Sequence, residues 1–432
     1  MSAPRIAIIG GGWAGLAAAV TAVKSDVRVC VFEASRSWGG RARTVELEGK
    51  HLDNGQHIML GAYRETLTLM RTVGVDPDRA LLRKRLSLHA QDGFCLRRAP
   101  LPSPWHIGFG LIAACGLSWR EKVVALRFAH WCRSRRYQLP ADESLISLLR
   151  RKNQSAKICR VLWEPLCVSA LNTPIEHASA QIFLNVLRDS VGANAQDSDL
   201  LLPRTSLGAV FPQPAADYLS TCGQDLRLGQ AVRIIQAKAQ GFDVDGEYFD
   251  AVILAVAPQH AVDLLPHAQE LENVRGLITA FSYEPIFTCY LQYASGSLSI
   301  PMLGFNEGLV QWAFDRGRLD GHTGLIAAVI SARGAHQRLD RDDLILRVDE
   351  QLRAVLRKPG ALIWSRVIAE KLATYSCRPG LVRPANATAL RGFYLAGDYT
   401  KGEYPATIEA AVRSGVRAAE FAIGDLRNRP PH

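Results

Sequence analysis

The chain has 432 residues, of which 48% are hydrophobic, and a formal net charge of +10. This length exceeds what one compact core usually holds and predicts two domains. The nine scattered cysteines form neither a disulfide framework nor a metal-binding spacing, and no apolar run reaches the roughly 18 residues of a spanning helix. We therefore expect no metal site and no membrane-spanning segment.

The first predicted elements are a strand and a helix joined by a glycine-rich turn. The apolar run Ile6–Ile9 leads into Gly10, Gly12 and Gly15, and an Ala-rich segment follows. Such glycines allow a tight turn, the approach of a pyrophosphate and close packing of the helix on the strand. The N–H groups at the N-terminus of the helix then bind the phosphates. The next apolar run ends at Glu33, which can accept hydrogen bonds from ribose hydroxyls. This layout predicts a dinucleotide-binding α/β unit.

A second glycine turn indicates which dinucleotide is bound. Glu33-Ala34 is followed by Trp38-Gly39-Gly40-Arg41-Ala42-Arg43-Thr44. This segment resembles the flavin-containing amine oxidase and phytoene desaturase superfamily, and the resemblance implies FAD rather than NAD. Small residues at Gly39 and Gly40 would keep the backbone close to the diphosphate, and Arg41 supplies a planar cation to bind it.

The segment 97–160 accounts for the basic character of the chain. It contains thirteen Lys and Arg residues against three acidic residues, a difference equal to the whole net charge. Within it, Trp105 and Trp119 bracket a short apolar run flanked by arginines. This composition favours residues 97–136 as a segment on an anionic membrane surface, in a protein on the inner, cytoplasmic face of the cell membrane. A buried helix with solvated basic flanks is the alternative, and no nucleic-acid partner is expected.

Later segments predict further parts of the cofactor site. The strands predicted at 225–228, 231–236, 241–244 and 251–258 form a middle flavin-binding piece, in which Val232 matches the position that contacts adenine in relatives. The run 393–400 then leads through Gly397 and Asp398 to a predicted helix over 406–415. By resemblance, that helix directs its N-terminus, at Thr407 and Ile408, to the flavin, where the helix dipole stabilises the reduced anionic form.

The predicted fold is α/β. A Rossmann-like FAD-binding domain is assembled from residues 1–80, 205–275 and 386–432, and an α+β substrate domain with a mixed sheet and helices from 81–204 and 276–385. The predicted flavin-binding residues are Gly10, Gly12, Ala14, Gly15, Glu33, Ala34, Gly40, Arg41, Gln56, His57, Val232, Gly397, Asp398, Thr407 and Ile408. With no cysteine or histidine in a flavin-linking motif, FAD is expected to bind non-covalently.

Narrower motifs bear on the substrate. They are D-N-G-Q-H-x-x-x-G-x-Y at 53–63, Trp163-Glu164-Pro165-Leu166-Cys167 and Leu201-Leu202-Pro203-Arg204. Together they resemble the squalene-associated, FAD-dependent hydroxysqualene dehydroxylases of bacterial hopanoid synthesis. This resemblance implies a polyprenyl substrate, hydroxysqualene, and an external electron donor that the sequence does not name. A carotenoid-type desaturase and a non-catalytic flavoprotein scaffold remain alternatives.

Removal of an allylic hydroxyl needs a proton donor near the flavin. His57 is the first candidate for this general acid, because the usual histidine pKa of roughly 6.5 allows a proton near neutral pH. In the alternative interpretation, His57 only hydrogen-bonds the flavin or the backbone. Tyr63, Glu164 and Gln56 are weaker candidates. Asn172 and Thr173 precede Pro174 and Glu176 in a pattern typical of a helix start, which favours capping over catalysis for them.

Overall fold

The computed structural model describes residues 3–191 and 194–428. Its strands are β1 (Arg5–Ile9), β2 (Arg28–Glu33), β3 (Thr44–Leu47), β4 (Lys50–Asp53), β5 (Met59–Leu60), β6 (Leu81–Lys84), β7 (Ser87–His89), β8 (Cys95–Arg97), β9 (Leu200–Pro203), β10 (Asp225–Leu228), β11 (Ile235–Ala237), β12 (Phe242–Val244), β13 (Glu247–Phe249), β14 (Ala251–Leu254), β15 (Tyr283–Tyr293), β16 (Met302–Gly304), β17 (Trp312–Asp315), β18 (Leu325–Ser331), β19 (Leu362–Tyr375) and β20 (Phe393–Leu395).

The α-helices are α1 (Trp13–Ala22), α2 (Arg64–Thr72), α3 (Pro77–Ala80), α4 (Trp105–Ala113), α5 (Trp119–Ser134), α6 (Leu145–Arg151), α7 (Ala156–Ile158), α8 (Glu164–Leu171), α9 (Ala180–Ser190), α10 (Leu207–Val210), α11 (Pro212–Thr221), α12 (Pro258–Leu264), α13 (Glu272–Thr279), α14 (Arg316–Asp320), α15 (Arg341–Arg353) and α16 (Ile408–Arg427). No helix in the described ranges is long and apolar enough to cross a bilayer.

A parallel sheet carries the glycine motif. Its strand order is β10-β2-β1-β14-β20, and every neighbouring pair is parallel. Strands β1, β14 and β20 are almost wholly buried, as is usual for a parallel sheet covered on both faces. Because these strands come from distant parts of the chain, the sheet brings together the first, middle and last motifs. The predicted α/β class with a Rossmann-like sheet is confirmed.

Glycines allow the helices to approach this sheet and each other closely. Gly10 has a φ of +116°, in the region that favours glycine. A Cβ on Gly15 would lie 1.9 Å from the Gly10 carbonyl oxygen, and a Cβ on Gly415 would lie 2.0 Å from that of Ala14. Helix α1 is therefore packed backbone to backbone against the turn that precedes it and against α16.

A second sheet, ordered β16-β17-β18-β15-β19, is antiparallel and lies in the later part of the chain. Its long strands β15 and β19 pair over most of their length. One buried core contains Phe128 and Trp163 from the helical segment together with Phe314 and Val329 from this sheet. The helices of 81–204 and the sheet of 276–385 thus share a hydrophobic core.

Two local predictions were wrong. The strand predicted over 231–236 begins only at Ile235, because the carboxylate of Asp245 accepts the N–H groups of Arg233 and Ile234 that a neighbouring strand would otherwise bind. No helix begins at Thr173. Asn172 instead ends α8 with a φ of 46°, and the Thr173 hydroxyl accepts the backbone N–H of Cys377 at 2.9 Å.

Candidate active site

A cavity of about 1200 Å³ lies at the carboxyl ends of the parallel strands, next to the second sheet. Ligands of open α/β sheets bind at this edge, and typical pockets for small ligands measure roughly 300–1,000 Å³. The cavity therefore has room for more than one small molecule. Its wall combines the glycine turns with an extensive apolar surface.

Most of the predicted residues line this cavity. Those present in its wall are Gly10, Gly12, Ala14, Glu33, Ala34, Gly40, Arg41, Gln56, His57, Tyr63, Val232, Gly397, Asp398, Thr407 and Ile408. Gly15 lies behind the wall, where it packs on the Gly10 carbonyl. Glu164 is exposed at the start of α8 and does not reach the cavity, so the structure does not place it with the other catalytic candidates.

The first glycine turn forms a cradle suited to phosphate groups. Helix α1 begins after Gly12 with no side-chain cap, so the N–H groups of its first turn are available to an anion. The Glu33 carboxylate is fixed at the end of β2 by the N–H groups of Gly11, at 2.7 Å, and Ser35, at 2.8 Å. Each of its oxygens can accept a further bond, as recognition of ribose hydroxyls requires.

Arg41 connects the first and last motifs. Its Nη2 pairs with Asp398 at 2.5 Å, and its Nη1 donates to the Ala373 carbonyl at 2.7 Å. Burial would lower the pKa of Arg41, but the charge and hydrogen bond of Asp398 outweigh burial and raise it. The guanidinium therefore stays charged beside the cavity, and these two contacts use only part of its five N–H donors.

The last helix presents its N-terminus to the cavity. The Thr407 side chain caps α16 by accepting the Ala410 N–H at 3.2 Å, and Thr407 and Ile408 both line the wall. The buried carboxylate of Glu409 accepts from the N–H and hydroxyl of Thr66 and thereby joins α16 to the start of α2. A twenty-residue helix with this orientation directs its positive end into the cavity, which suits a cofactor that becomes anionic on reduction.

The contacts of His57 bear on its role as an acid. Its Nδ1 lies 2.9 Å from the Gly55 carbonyl oxygen, and since a carbonyl only accepts, Nδ1 carries the hydrogen. Burial lowers the pKa of His57, and the Gly55 hydrogen bond only partly opposes that effect. A neutral imidazole protonated on Nδ1 has no proton on Nε2 to give. The geometry thus favours the hydrogen-bonding interpretation over the general acid.

Tyr63 precedes α2 and lines the same wall. Burial, and then the nearby charge of Glu409, raise the pKa of its phenol, while a hydrogen bond with Thr407 opposes the rise. Tyr63 therefore remains protonated across the physiological range. It can donate a hydrogen bond to a ligand, but it holds its proton firmly.

Sequence reasoning missed a buried arginine beside this site. Arg316 has 0% exposure and donates from Nη1 to the Gln56 side-chain oxygen at 2.6 Å, while its Nη2 pairs with Asp320. In the sequence, Arg316 and Asp320 have the spacing of an ordinary surface ion pair on a helix, so nothing marked them as internal. Asp189 and Tyr404, whose side chains are hydrogen-bonded to each other, also line the cavity and have no motif.

Much of the remaining wall is apolar, and its residues come mainly from β7, β8, α4, α5, α8, α9 and the second sheet. Its residues include Leu88, Leu96, Ile107, Leu111, Phe128, Leu162, Phe183, Ile286, Met302, Phe314 and Val329. A long hydrocarbon can be buried along such a surface without polar partners.

The family model for flavin-containing amine oxidoreductases matches residues 13–423. The chain belongs to this family. Members of the family are flavin-dependent oxidoreductases, so the predicted flavin cofactor and enzyme class are confirmed. The cradle at Gly12, the charged Arg41 and the N-terminus of α16 all fit such a cofactor.

Curated relatives cover almost the whole chain. The hydroxysqualene dehydroxylase of Rhodopseudomonas palustris is 27% identical over 96% of this chain and 97% of its own. That of Zymomonas mobilis is 26% identical over 96% and 98%. A probable zeta-carotene desaturase of Synechococcus elongatus is 24% identical over 97% and 98%.

A solved structure confirms the fold independently of these sequences. A triple mutant of putrescine oxidase superposes with a TM-score of 0.75 at 16% identity, covering 98% of this chain and 99% of that one. At this identity the likeness establishes the architecture alone.

Proposed function

We propose that this protein is an FAD-dependent hydroxysqualene dehydroxylase that converts hydroxysqualene to squalene. The observation that carries the proposal is that one cavity contains both a dinucleotide cradle and an extensive apolar wall. Near full-length similarity to the dehydroxylases supports it, at higher identity than the similarity to the zeta-carotene desaturase. We expect no amine-binding aromatic cage in this chain, because Thr407 occupies the position of the last motif at which, by resemblance, amine oxidases carry an aromatic residue.

The proposed reaction breaks the allylic C–O bond and forms a C–H bond at the ionised carbon. The hydroxyl takes up one proton, which is supplied by solvent, and leaves as water. Reduced flavin, when bound, supplies the hydride and is oxidised by two electrons. The apolar wall would hold the polyprenyl chain and exclude water from the allylic cation. Tyr63 and the neutral His57 would hydrogen-bond the hydroxyl or the cofactor.

The test is an anaerobic single turnover with pre-reduced protein. We expect added hydroxysqualene to reoxidise the flavin and to give squalene, with deuterium at one carbon when the flavin carries deuteride at N5. A flavin that stays reduced with hydroxysqualene, together with oxidised flavin bleached by a carotenoid precursor, would instead establish a desaturase. A flavin that responds to neither substrate would support the non-catalytic scaffold.

We also propose that the FAD is bound non-covalently by segments 1–80, 205–275 and 386–432, with the substrate domain formed by 81–204 and 276–385. Support comes from the parallel sheet, whose strands belong to those three segments. The donor that reduces the flavin is an external one.

Finally, we propose that residues 97–136 hold the protein on an anionic membrane surface. Trp105, Phe109 and Trp119 are 62%, 49% and 68% exposed. Three large apolar side chains so exposed within one short stretch are unusual for a protein surface in water. The opposite faces of the same helices line the cavity through Ile107 and Phe128. Helices α4 and α5 would thus lie between a bilayer and the apolar wall that receives its lipid-like substrate.

A further inference from the structure

A buried arginine fixes the orientation of the Gln56 amide. Gln56 follows β4 and lines the cavity, and its Oε1 accepts from Nη1 of Arg316 at 2.6 Å. A guanidinium only donates, so this contact settles which amide atom is the oxygen. The NH₂ group of Gln56 must therefore point elsewhere.

That NH₂ group has no acceptor in the part of the chain that the structure describes. Nε2 of Gln56 is buried and has no hydrogen-bond partner among residues 3–191 and 194–428. The Thr288 hydroxyl is likewise unpartnered, and a Cβ on Gly55 would lie 3.8 Å from it. A buried donor without an acceptor is unfavourable, so a group outside the protein is expected to accept this bond.

We infer that Arg316 is a positioning residue that holds Gln56 so that Nε2 donates a hydrogen bond to the flavin ring. The inference rests on the proposed flavin site, not on the identity of the substrate. The acceptor is assigned to the ring because Gln56 lies in the loop beside Gly55 and Asn54, and Asn54 itself donates to the Arg41 carbonyl. That loop therefore adjoins the second glycine turn, on the cofactor side of the cavity.

The pair also tunes the ring electronically. The charge of Arg316 polarises the amide and makes Nε2–H a stronger donor. A hydrogen bond to the ring strengthens when the ring gains negative charge, so it favours the reduced state. The Arg316–Gln56 pair therefore raises the reduction potential of the bound flavin.

The experiment compares three variants of the full-length, flavin-loaded protein. Gln56→Glu keeps an oxygen for Arg316 but replaces the donor by an acceptor. Arg316→Lys removes the fork that holds Gln56 and Asp320 together. Arg318→Lys is the matched control, because Arg318 lies in the same helix α14 but is 42% exposed and pairs with Asp315. Flavin content, the visible spectrum and the midpoint potential against a reference dye are measured for each.

We expect Gln56→Glu to weaken the binding of reduced flavin, relative to oxidised flavin, at least tenfold. For a two-electron couple this corresponds to a midpoint potential at least about 30 mV more negative. Arg316→Lys shifts the potential in the same direction, and Arg318→Lys leaves it unchanged. Wild-type potentials and spectra in Gln56→Glu would overturn the inference and leave Nε2 bound to water. Failure of the wild type to bind flavin would instead overturn the proposed function. If Arg316→Lys does not fold, Gln56→Glu decides alone, since it keeps the buried ion pair.

Discussion

His57 illustrates how a residue can be placed correctly by a motif while its chemistry depends on its surroundings. Its lowered pKa and the hydrogen on Nδ1 leave the imidazole neutral near pH 7. General acids contribute roughly 10²–10⁴-fold, and a neutral imidazole cannot make that contribution. We therefore expect His57→Ala to slow single-turnover dehydroxylation at pH 7 by less than about tenfold.

The pH profile of the wild type is the companion measurement. If His57 were the acid, the rate would fall about tenfold per pH unit above its lowered pKa, because the imidazolium would be lost. We expect a rate independent of pH between 6.5 and 8. A hundredfold loss in His57→Ala combined with a falling profile would restore His57 as the acid.

Asp53 gives a prediction for stability. It has 0% exposure, and burial raises its pKa to about 6, although the Leu207 N–H and the charge of Arg316 oppose the rise. Between about pH 4 and pH 6 the folded state therefore binds more protons at Asp53 than the unfolded state. Stability must fall as pH rises through this window.

We expect Asp53→Asn to remove this dependence while keeping an oxygen for the Leu207 N–H. At equal flavin saturation, the wild type should lose up to about 3 kcal/mol of unfolding free energy relative to the variant between pH 4 and pH 7. Urea unfolding at several pH values measures the difference. Parallel curves for the two proteins would show that Asp53 does not titrate in this range.

At the scale of elements, the spacing of residues in the sequence predicted helices and strands correctly where contacts between near neighbours in the chain decide the structure. Gly10, Gly12 and Gly15 predicted the strand–turn–helix because their constraints lie within six residues. Thr173 and Arg233 were misassigned because partners distant in sequence, Cys377 and Asp245, bind the groups on which those predictions depended. Arg316 was overlooked for the same reason, since its burial depends on how two distant segments pack.

Helices α4 and α5 are predicted to bind the surface of anionic membranes. Each basic residue near an anionic surface contributes about 1 kcal/mol, and the exposed tryptophans add apolar contact. We expect flotation with anionic liposomes to weaken with salt and with Trp105→Ser combined with Trp119→Ser. Neutral liposomes are the control for charge. Flotation unaffected by salt and by both changes would leave this region a solvated face.

At the scale of the whole molecule, one cavity joins distant parts of the chain. Strands from three segments form the parallel sheet, and the cradle, Arg41 and α16 meet at one cavity. A ligand that binds only the folded state at 100 times its Kd stabilises it by about 2.7 kcal/mol. We expect removal of FAD to lower the melting temperature and re-addition to restore it.

The same preparation tests the mode of attachment. Under the proposed non-covalent binding, acid precipitation releases yellow flavin into the supernatant. Flavin retained in the pellet would contradict the non-covalent proposal, and a colourless preparation that ignores added FAD would contradict flavin binding itself.

The contact of Gly415 with Ala14 fixes how the first and last helices are placed relative to each other. With backbone against backbone at this point, α1 and α16 cannot slide past one another without a clash. Their N-termini, one suited to the diphosphate and the other to the ring, therefore lie a fixed distance apart. A cofactor that contacts both N-termini therefore meets two positive helix ends whose separation is set by the packing of two glycine-bearing helices and not by the cofactor itself.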